Sequence, residues 1–300
     1  MDWSDPVFWE IVLGGMLRLA TPVFIAALGE MITEKAGAIN LGIDGVMTAG
    51  AFAALVFAYL AGWGAGLAGA CLVGALYGLL LAVSVIRFNA DQIVIGIAIS
   101  LIGAGLTSYV FQLWQPSGQT AIFVPLVPMI TIPGLAEIPF IGSILFRQNA
   151  LTYAMILVLI AAVYLLNRTR LGLILTAVGE NRAAAEMRGV NVDRVRYIAI
   201  TLGGAFMGLA GAAITLAVLG SYNDGLTNGR GYIALAIVIV GRWTPLGALI
   251  GALIFAFFDS LGLRAQSGLA GLPTEAFSAL PYLMTIVVLM LANRSVIRRA

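Results

Sequence analysis

Residues 29–45 read GEMITEKAGAINLGIDG. On both sides lie long runs of Leu, Ala, Val and Ile, yet this stretch gathers Glu30, Glu34, Lys35, Asn40, Asp44 and four glycines. The contrast matters because the whole chain is 61% apolar and only 10% charged, with no histidine. A soluble domain carries about 25% charged residues, and a membrane helix needs about 20 apolar residues in a row. The sequence offers many such runs, so the fold class is an all-α polytopic membrane protein. Within it, 29–45 is a catalytic cluster, a solvated turn, or a break in a helix beside a path.

The remaining composition removes the first choice. A single cysteine, Cys71, sits in an apolar run, and with no histidine the usual metal and nucleophile constellations are missing. No metal, cofactor or nucleic acid is expected. The only lysine is Lys35, followed by Ala36, so no P-loop can hold ATP phosphates. Energy for any transport must come from a partner ATPase or an ion gradient. Glycine is abundant, and the pairs Gly62/Gly66, Gly74/Gly78, Gly204/Gly208 and Gly247/Gly251 each put two small residues on one helix face, where membrane helices approach closely.

Hydropathy and turn residues place spans near 19–35, 44–61, 64–86, 91–113, 150–167, 196–219, 229–242, 245–263 and 279–293. These make about nine segments, one or two of them short or broken, and 229–242 is the shortest candidate. The stretch 7–18 holds Glu10 and Arg18 and either opens the first span or, the favoured reading, lies along the interface as an amphipathic helix. Arginines 168, 170, 182, 188, 194 and 196, with Arg294, Arg298 and Arg299 in the tail, put the 168–196 loop and the C-terminus in the cytoplasm. Nine crossings then put the N-terminus outside, with 114–149 an external loop rich in proline. The start, MDWSDP, lacks the basic region of a secretory signal and is expected to be mature sequence. The chain reads as a single domain over 1–300.

The loop NRTRLGLILTAVGENRAAAEMRGVNVDRVRYIAI (167–200) predicts a short helix from Asn181 to Arg188, stopped by Gly189. So short a helix needs a partner surface. It either fixes topology as a solvated positive loop or docks on another protein. The spacing G-E-N-x-x-A-A-x-x-x-G-V-N-V resembles the coupling loop of bacterial ABC importer permeases, within the branched-chain amino acid, ribose and nucleoside superfamily. The resemblance continues through LTNGRGYIALAIVIVGRWTPLGALIGALIFAFFDSL (226–261) and PYLMTIVVLM (281–290). LRLATPVFIAALGEMITEKAGAINLGIDGVMTAGAF (17–52) and NGRGYIALAIVIVGRWTPLGA (228–248) are most similar to the shorter permease of purine-nucleoside importers, often described as simple-sugar permeases. The resemblance implies a transmembrane subunit of an ATP-driven importer in the bacterial inner membrane, not itself an enzyme. It implies a coupling helix at Gly179, Glu180, Asn181, Arg182, Ala183, Ala184, Ala185, Glu186, Arg188 and Gly189. It also implies three partners besides membrane lipid: a second permease chain, a cytoplasmic ATPase and an external substrate-binding lipoprotein. A branched-chain amino acid or sugar importer, or an ion-coupled carrier using Glu30, Glu34 or Asp44, stays open.

For 29–45 itself, a glycine-hinged break lining the path is favoured over a plain turn, since irregular backbone at membrane depth survives beside a water-filled cavity. Candidate path or gate residues are Glu34, Asn40, Asp44, Gln92, Asn228 and Tyr232, with Ser100, Thr107, Tyr109 and Asn223 also polar within spans. Glu34 is expected to find a cation, Lys35 or a coupling-loop arginine, and Asp259 to pair with Arg264. A faint internal echo links GIDGVMTAGAFAAL (42–55) with NGRGYIALAIVIV (228–240) as paired elements around one pathway. In the external loop, Glu137 and Arg147 are candidate contacts for a binding protein.

Overall fold

A computed structural model describes residues 6–114 and 122–266, together with Leu283. Among these residues seven helices are long and apolar enough to cross a membrane. They are α1 (Pro6–Lys35), α2 (Ile43–Ala61), α3 (Trp63–Ala82, prolonged by a wider turn to Arg87), α4 (Gln92–Trp114), α6 (Ala150–Arg168), α9 (Val192–Ala213, prolonged likewise to Leu219) and α11 (Pro245–Gln266). The expected span at 229–242 is α10 (Arg230–Val240), an apolar helix of only 11 residues. The expected span at 279–293 and the arginines 294, 298 and 299 lie outside the described residues. The segment between α4 and α6 carries the short helix α5 (Ile141–Leu145) and an antiparallel pair, β1 (Met129–Thr131) with β2 (Arg147–Asn149).

Residues 7–18 do not form a separate interfacial helix. They are the first turns of α1, which runs for 30 residues through Pro22. Of the two charged positions that suggested an interface, Glu10 is met by protein, while the Arg18 Nε is buried with no hydrogen-bond partner among the described residues. Ser143 donates to Glu10 (3.0 Å), Gln148 donates to the Gly14 carbonyl (3.4 Å), and Ser260 donates to the Val12 carbonyl (2.8 Å). A hydropathy window sees the charge at position 10 but not the hydroxyl across from it.

The bundle has an inner and an outer layer. Two-thirds of α2 and of α9 (67% each) is buried, against 11% of α6. The inner layer is held by glycine. Gly74 and Gly78 of α3 face Gly204 and Gly208 of α9: a methyl on Gly78 would lie 2.6 Å from the Ile200 carbonyl, and one on Gly204 would lie 2.7 Å from the Gly78 Cα. Backbones this close exchange dispersion contacts that lipid tails could not improve. In the Gly62/Gly66 and Gly247/Gly251 pairs only one member packs on backbone, Gly66 on the Ala54 carbonyl of α2 and Gly247 on Gly241. Gly62 has open space around it, and Gly251 meets the Ile237 side chain.

The loop between α6 and α9 holds two further helices, α7 (Arg170–Glu180) and α8 (Arg182–Met187). The segment 179–189 is therefore divided. Asn181, in extended conformation, ends α7 and caps α8 by accepting from the Ala184 N–H at 3.0 Å. Gly189, at φ +79°, stops the chain beyond α8 as the sequence predicts. A small apolar cluster of Val178, Ala185 and Val192 pins α8 against α7 and α9, which supplies the partner surface that so short a helix needs.

Candidate translocation path and docking helix

The irregular stretch between α1 and α2 is buried rather than solvated. Glu30 is 0% exposed and Asn40 is 2% exposed. Several polar groups of the break have a protein partner nearby, although one Glu30 carboxylate oxygen, Oε2, is buried without a hydrogen bond among the described residues. The Glu30 carboxyl accepts from the Asn40 N–H (2.9 Å), and the Asn40 side chain accepts from the Gly42 N–H (2.8 Å) and donates to the Met207 sulfur (3.2 Å). Gln92 accepts from the Ile39 N–H at 3.2 Å, joining the start of α4 to the break. Close packing again needs glycine: a methyl on Gly42 would meet the Gly96 carbonyl at 2.8 Å. In this conformation Asn40 is a strut inside the protein, and Gln92 is its neighbour from α4.

Glu30 supports a prediction. Glu30→Gln retains an oxygen for the Asn40 N–H and should leave thermal stability of the purified complex near that of the parent. Glu30→Ala strands that donor in the interior, at a cost of about 1–3 kcal/mol, and should lower the melting temperature clearly. Equal losses in the two variants would show that the charge, not the acceptor, matters.

The second convergence joins α2 to α10. Helix α10 follows an irregular segment, 220–229, and its N-cap is Gly229 at φ +73°, a position with no side chain to cap the helix. The cap comes from another helix. Asp44, in the first turn of α2, accepts from the Gly231 N–H (3.1 Å) and from the Thr227 hydroxyl (3.0 Å). The Thr48 and Thr227 hydroxyls lie 3.1 Å apart, and Thr48 donates to the Asp44 carbonyl at 2.8 Å. One carboxylate thus sits at the positive ends of two helices, where a negative charge is favoured. Tyr232, half-exposed one residue further on, pairs its hydroxyl with that of Ser100 of α4 (3.2 Å), and Ser108 donates to Asp224 at 2.7 Å. Asn228 is exposed beside them at φ +44°. The segment 220–229 therefore runs as irregular backbone alongside α2 and α4.

The remaining end of α10 reaches back to α1. Beyond Val240 the chain turns through Arg242 and Trp243, both at φ +54°. The Trp243 indole N–H donates to Glu34. The expected cation for Glu34 is replaced by this indole: Lys35 falls on another face of α1, and Arg182 donates instead to the Gly37 carbonyl (3.0 Å). Asp259 likewise pairs with Arg230 at 2.8 Å, not with Arg264 as expected, because Arg230 enters from the first turn of α10. The structure so brings Asp44, Asn228 and Tyr232 into one region and puts Glu34, Asn40 and Gln92 at the break. Sequence reasoning missed Thr48, Thr227, Arg230 and Trp243. Thr48 had a usable signal, since it stands four residues after Asp44 on the same helix face.

On α8, Ala185 faces inward, while Ala183, Glu186 and Arg188 are exposed with Met187, 83% exposed, beside them. Met187 was absent from the expected docking set. A flexible thioether held out on a pinned helix suits a contact that adapts to a partner. Arg182 does not face outward only; its bond to Gly37 ties α8 to the break.

The sequence profile described as branched-chain amino acid transport system / permease component matches residues 12–289. The chain belongs to that family. The nucleoside ABC transporter permease NupC of Lactococcus lactis is 35% identical over 94% of this chain and 92% of its own length. The permease TsgC13 of Haloferax volcanii, to which glucose is assigned provisionally, is 34% identical over 94% and 91%. The guanosine ABC transporter permease NupQ of Bacillus subtilis is 33% identical over 93% and 91%. A solved ABC transporter of metal-chelate type, in an inward-facing conformation, superposes with a TM-score of 0.51 at 17% identity, covering 97% of this chain and 90% of its own. That likeness concerns the fold alone. The permease is a multi-pass membrane subunit of an ABC transporter, a transport component and not an enzyme. Membership of this family displaces the ion-coupled carrier reading.

Proposed function

We propose that this permease imports a neutral, hydroxylated solute, most specifically a nucleoside. The observation that carries the reading is Asp44. Convergent helix ends in transporters attract anionic substrate groups, but here the protein's own carboxylate already occupies the meeting of α2 with α10. Arg230 is likewise taken by Asp259. An amino acid carboxylate finds no vacant cation among the groups just described, whereas the accessible hydroxyls of Ser100 and Tyr232 suit a ribose. The names of NupC and NupQ favour the nucleoside; that of TsgC13 keeps a simple sugar as the second reading. In vesicles carrying the complete importer, unlabelled nucleosides should suppress uptake of labelled nucleoside. Suppression by leucine in place of nucleosides would overturn the reading, and suppression by glucose would transfer it to a sugar.

In the same proposal the chain forms one permease domain with nine crossings, N-terminus outside and C-terminus in the cytoplasm. It works beside a second permease chain, most simply a related but different one. A cytoplasmic ATPase receives α8, and an external lipoprotein delivers substrate over 114–149, where Glu137 and Arg147 are exposed. ATPase closure moves α8; Arg182 carries that motion to Gly37, and the break carries it through Asp44 to α10. Ala183→Trp with Met187→Glu should leave the permease inserted and folded but separate the ATPase on purification. Continued copurification with coupled hydrolysis would refute the dock. Uptake without ATP that an uncoupler abolishes would refute ATP coupling altogether.

A further inference from the structure

Between the lower parts of α1, α6 and α9 and the start of α7 lies a cleft of about 450 Å³ with an almost wholly apolar lining. Leu28 and Ile32 form one wall, Ala162 and Leu166 a second, and Leu202 and Phe206 a third. It is open to the surroundings: Leu171, at its α7 edge, is 69% exposed. Between the lining positions Leu166 and Leu171 stand Arg168 and Arg170, both exposed. Among the described residues neither makes an ion pair.

We propose that this cleft binds an anionic phospholipid of the cytoplasmic leaflet, with one acyl chain in the cleft and its phosphate between Arg168 and Arg170. Basic groups at the cytoplasmic lip of an inter-helical pocket are suited to anionic headgroups. An apolar lining without hydrogen-bonding groups suits an acyl chain and no polar solute. Charge complementarity also selects among occupants. The last apolar run of the chain, ALPYLMTIVVLMLAN (279–293), contains no Asp or Glu and offers the arginines nothing, whereas a phosphate does. The bound lipid would prop α7 against α6 and α9, and α7 leads directly through Asn181 into α8. The assignment rests on the cytoplasmic placement of α7 and α8 proposed above.

The test uses the complete importer, purified in detergent with mixed phosphatidylglycerol and phosphatidylcholine, its retained lipid counted by native mass spectrometry. A photoactivatable phosphatidylglycerol maps the contact. The intact complex should retain phosphatidylglycerol preferentially and crosslink to α6 and α7. Arg168→Gln with Arg170→Gln should cut that preference by about thirty-fold, the worth of two surface arginines at an anionic headgroup. Ala162→Phe, which fills the cleft and keeps both arginines, should lose both lipids from the site. Equal retention of the two lipids by the parent, or unchanged retention in Ala162→Phe, would overturn the proposal. So would crosslinks showing residues 279–293 seated in the cleft. Independently, a cysteine at Met187 that labels from outside intact cells would overturn the sidedness while leaving a lipid site in place.

Discussion

Replacement of Gly208 by leucine is expected to leave no stably folded permease. Gly208 stands where three helices meet: a methyl there would lie 2.9 Å from the Gly74 Cα of α3, and Gly50 of α2 closes on it from the other side. The atoms in the way are backbone, so no rotamer change relieves the overlap, and one of the helices must move. Extra methylenes forced into a packed interior cost about 1–3 kcal/mol even where neighbours can shift; four heavy atoms against fixed backbone should cost more. Joints α3–α9 and α2–α9 would open together, and with them the support for Met207 beneath Asn40. Gly105→Leu is the matched control, since Gly105 of α4 has nothing near its missing side chain. Fluorescence-detected size exclusion of tagged variants should give a monodisperse peak for Gly105→Leu and aggregate or no peak for Gly208→Leu. A monodisperse, transport-competent Gly208→Leu would show that the glycine joint is not what holds the inner layer.

The contrast between these two glycines shows how far sequence could reach. The pairs at 74/78 and 204/208 were visible as spacings, and both became the α3–α9 joint. The pair at 62/66 had the same spacing, yet only Gly66 closes on a neighbouring helix while Gly62 has open space, because spacing reports a helix face and not what lies opposite it. Long spans were legible for the same reason that boundaries were: apolar runs and turn residues are local. The short helix α8 was legible between Asn181 and Gly189, whose capping roles are also local, while its docking role stays a proposal. Partners of charged residues were not. Glu34 found Trp243 and Asp259 found Arg230, each from an element distant in sequence, and a neighbouring opposite charge was a poor guide. The echo between 42–55 and 228–240 was faint in composition. It gained meaning only when Asp44 of one was found capping the other.

That cap makes Asp44 the position where a single atom change should affect transport most. Asp44→Ala leaves the Gly231 N–H and the Thr227 hydroxyl without their acceptor, each at a cost of about 1–3 kcal/mol if no water enters. The first turn of α10 then loses its hydrogen bond to α2, while the Arg230–Asp259 pair and the Trp243–Glu34 bond still hold it to α11 and α1. The proposed dock on α8 shares no hydrogen bond with the Asp44 side chain among the described residues, so the ATPase should copurify and hydrolyse ATP, but uptake should fall by about tenfold or more, the equivalent of 1.4 kcal/mol. Asp44→Asn keeps one acceptor and brings an amide N–H₂ towards donors, so it should fall between the parent and alanine. Thr227→Val, which removes one of the two partners and leaves the Gly231 contact, should cost less than Asp44→Ala. A further consequence separates this from simple loosening. With the carboxylate gone, the positive ends of α2 and α10 are unneutralised, and the residual uptake should become sensitive to carboxylate-bearing solutes that do not affect the parent. Full uptake by Asp44→Ala would remove Asp44 from the path. Reduced uptake without new sensitivity to anions would leave it a structural cap and withdraw the physical basis for a neutral substrate.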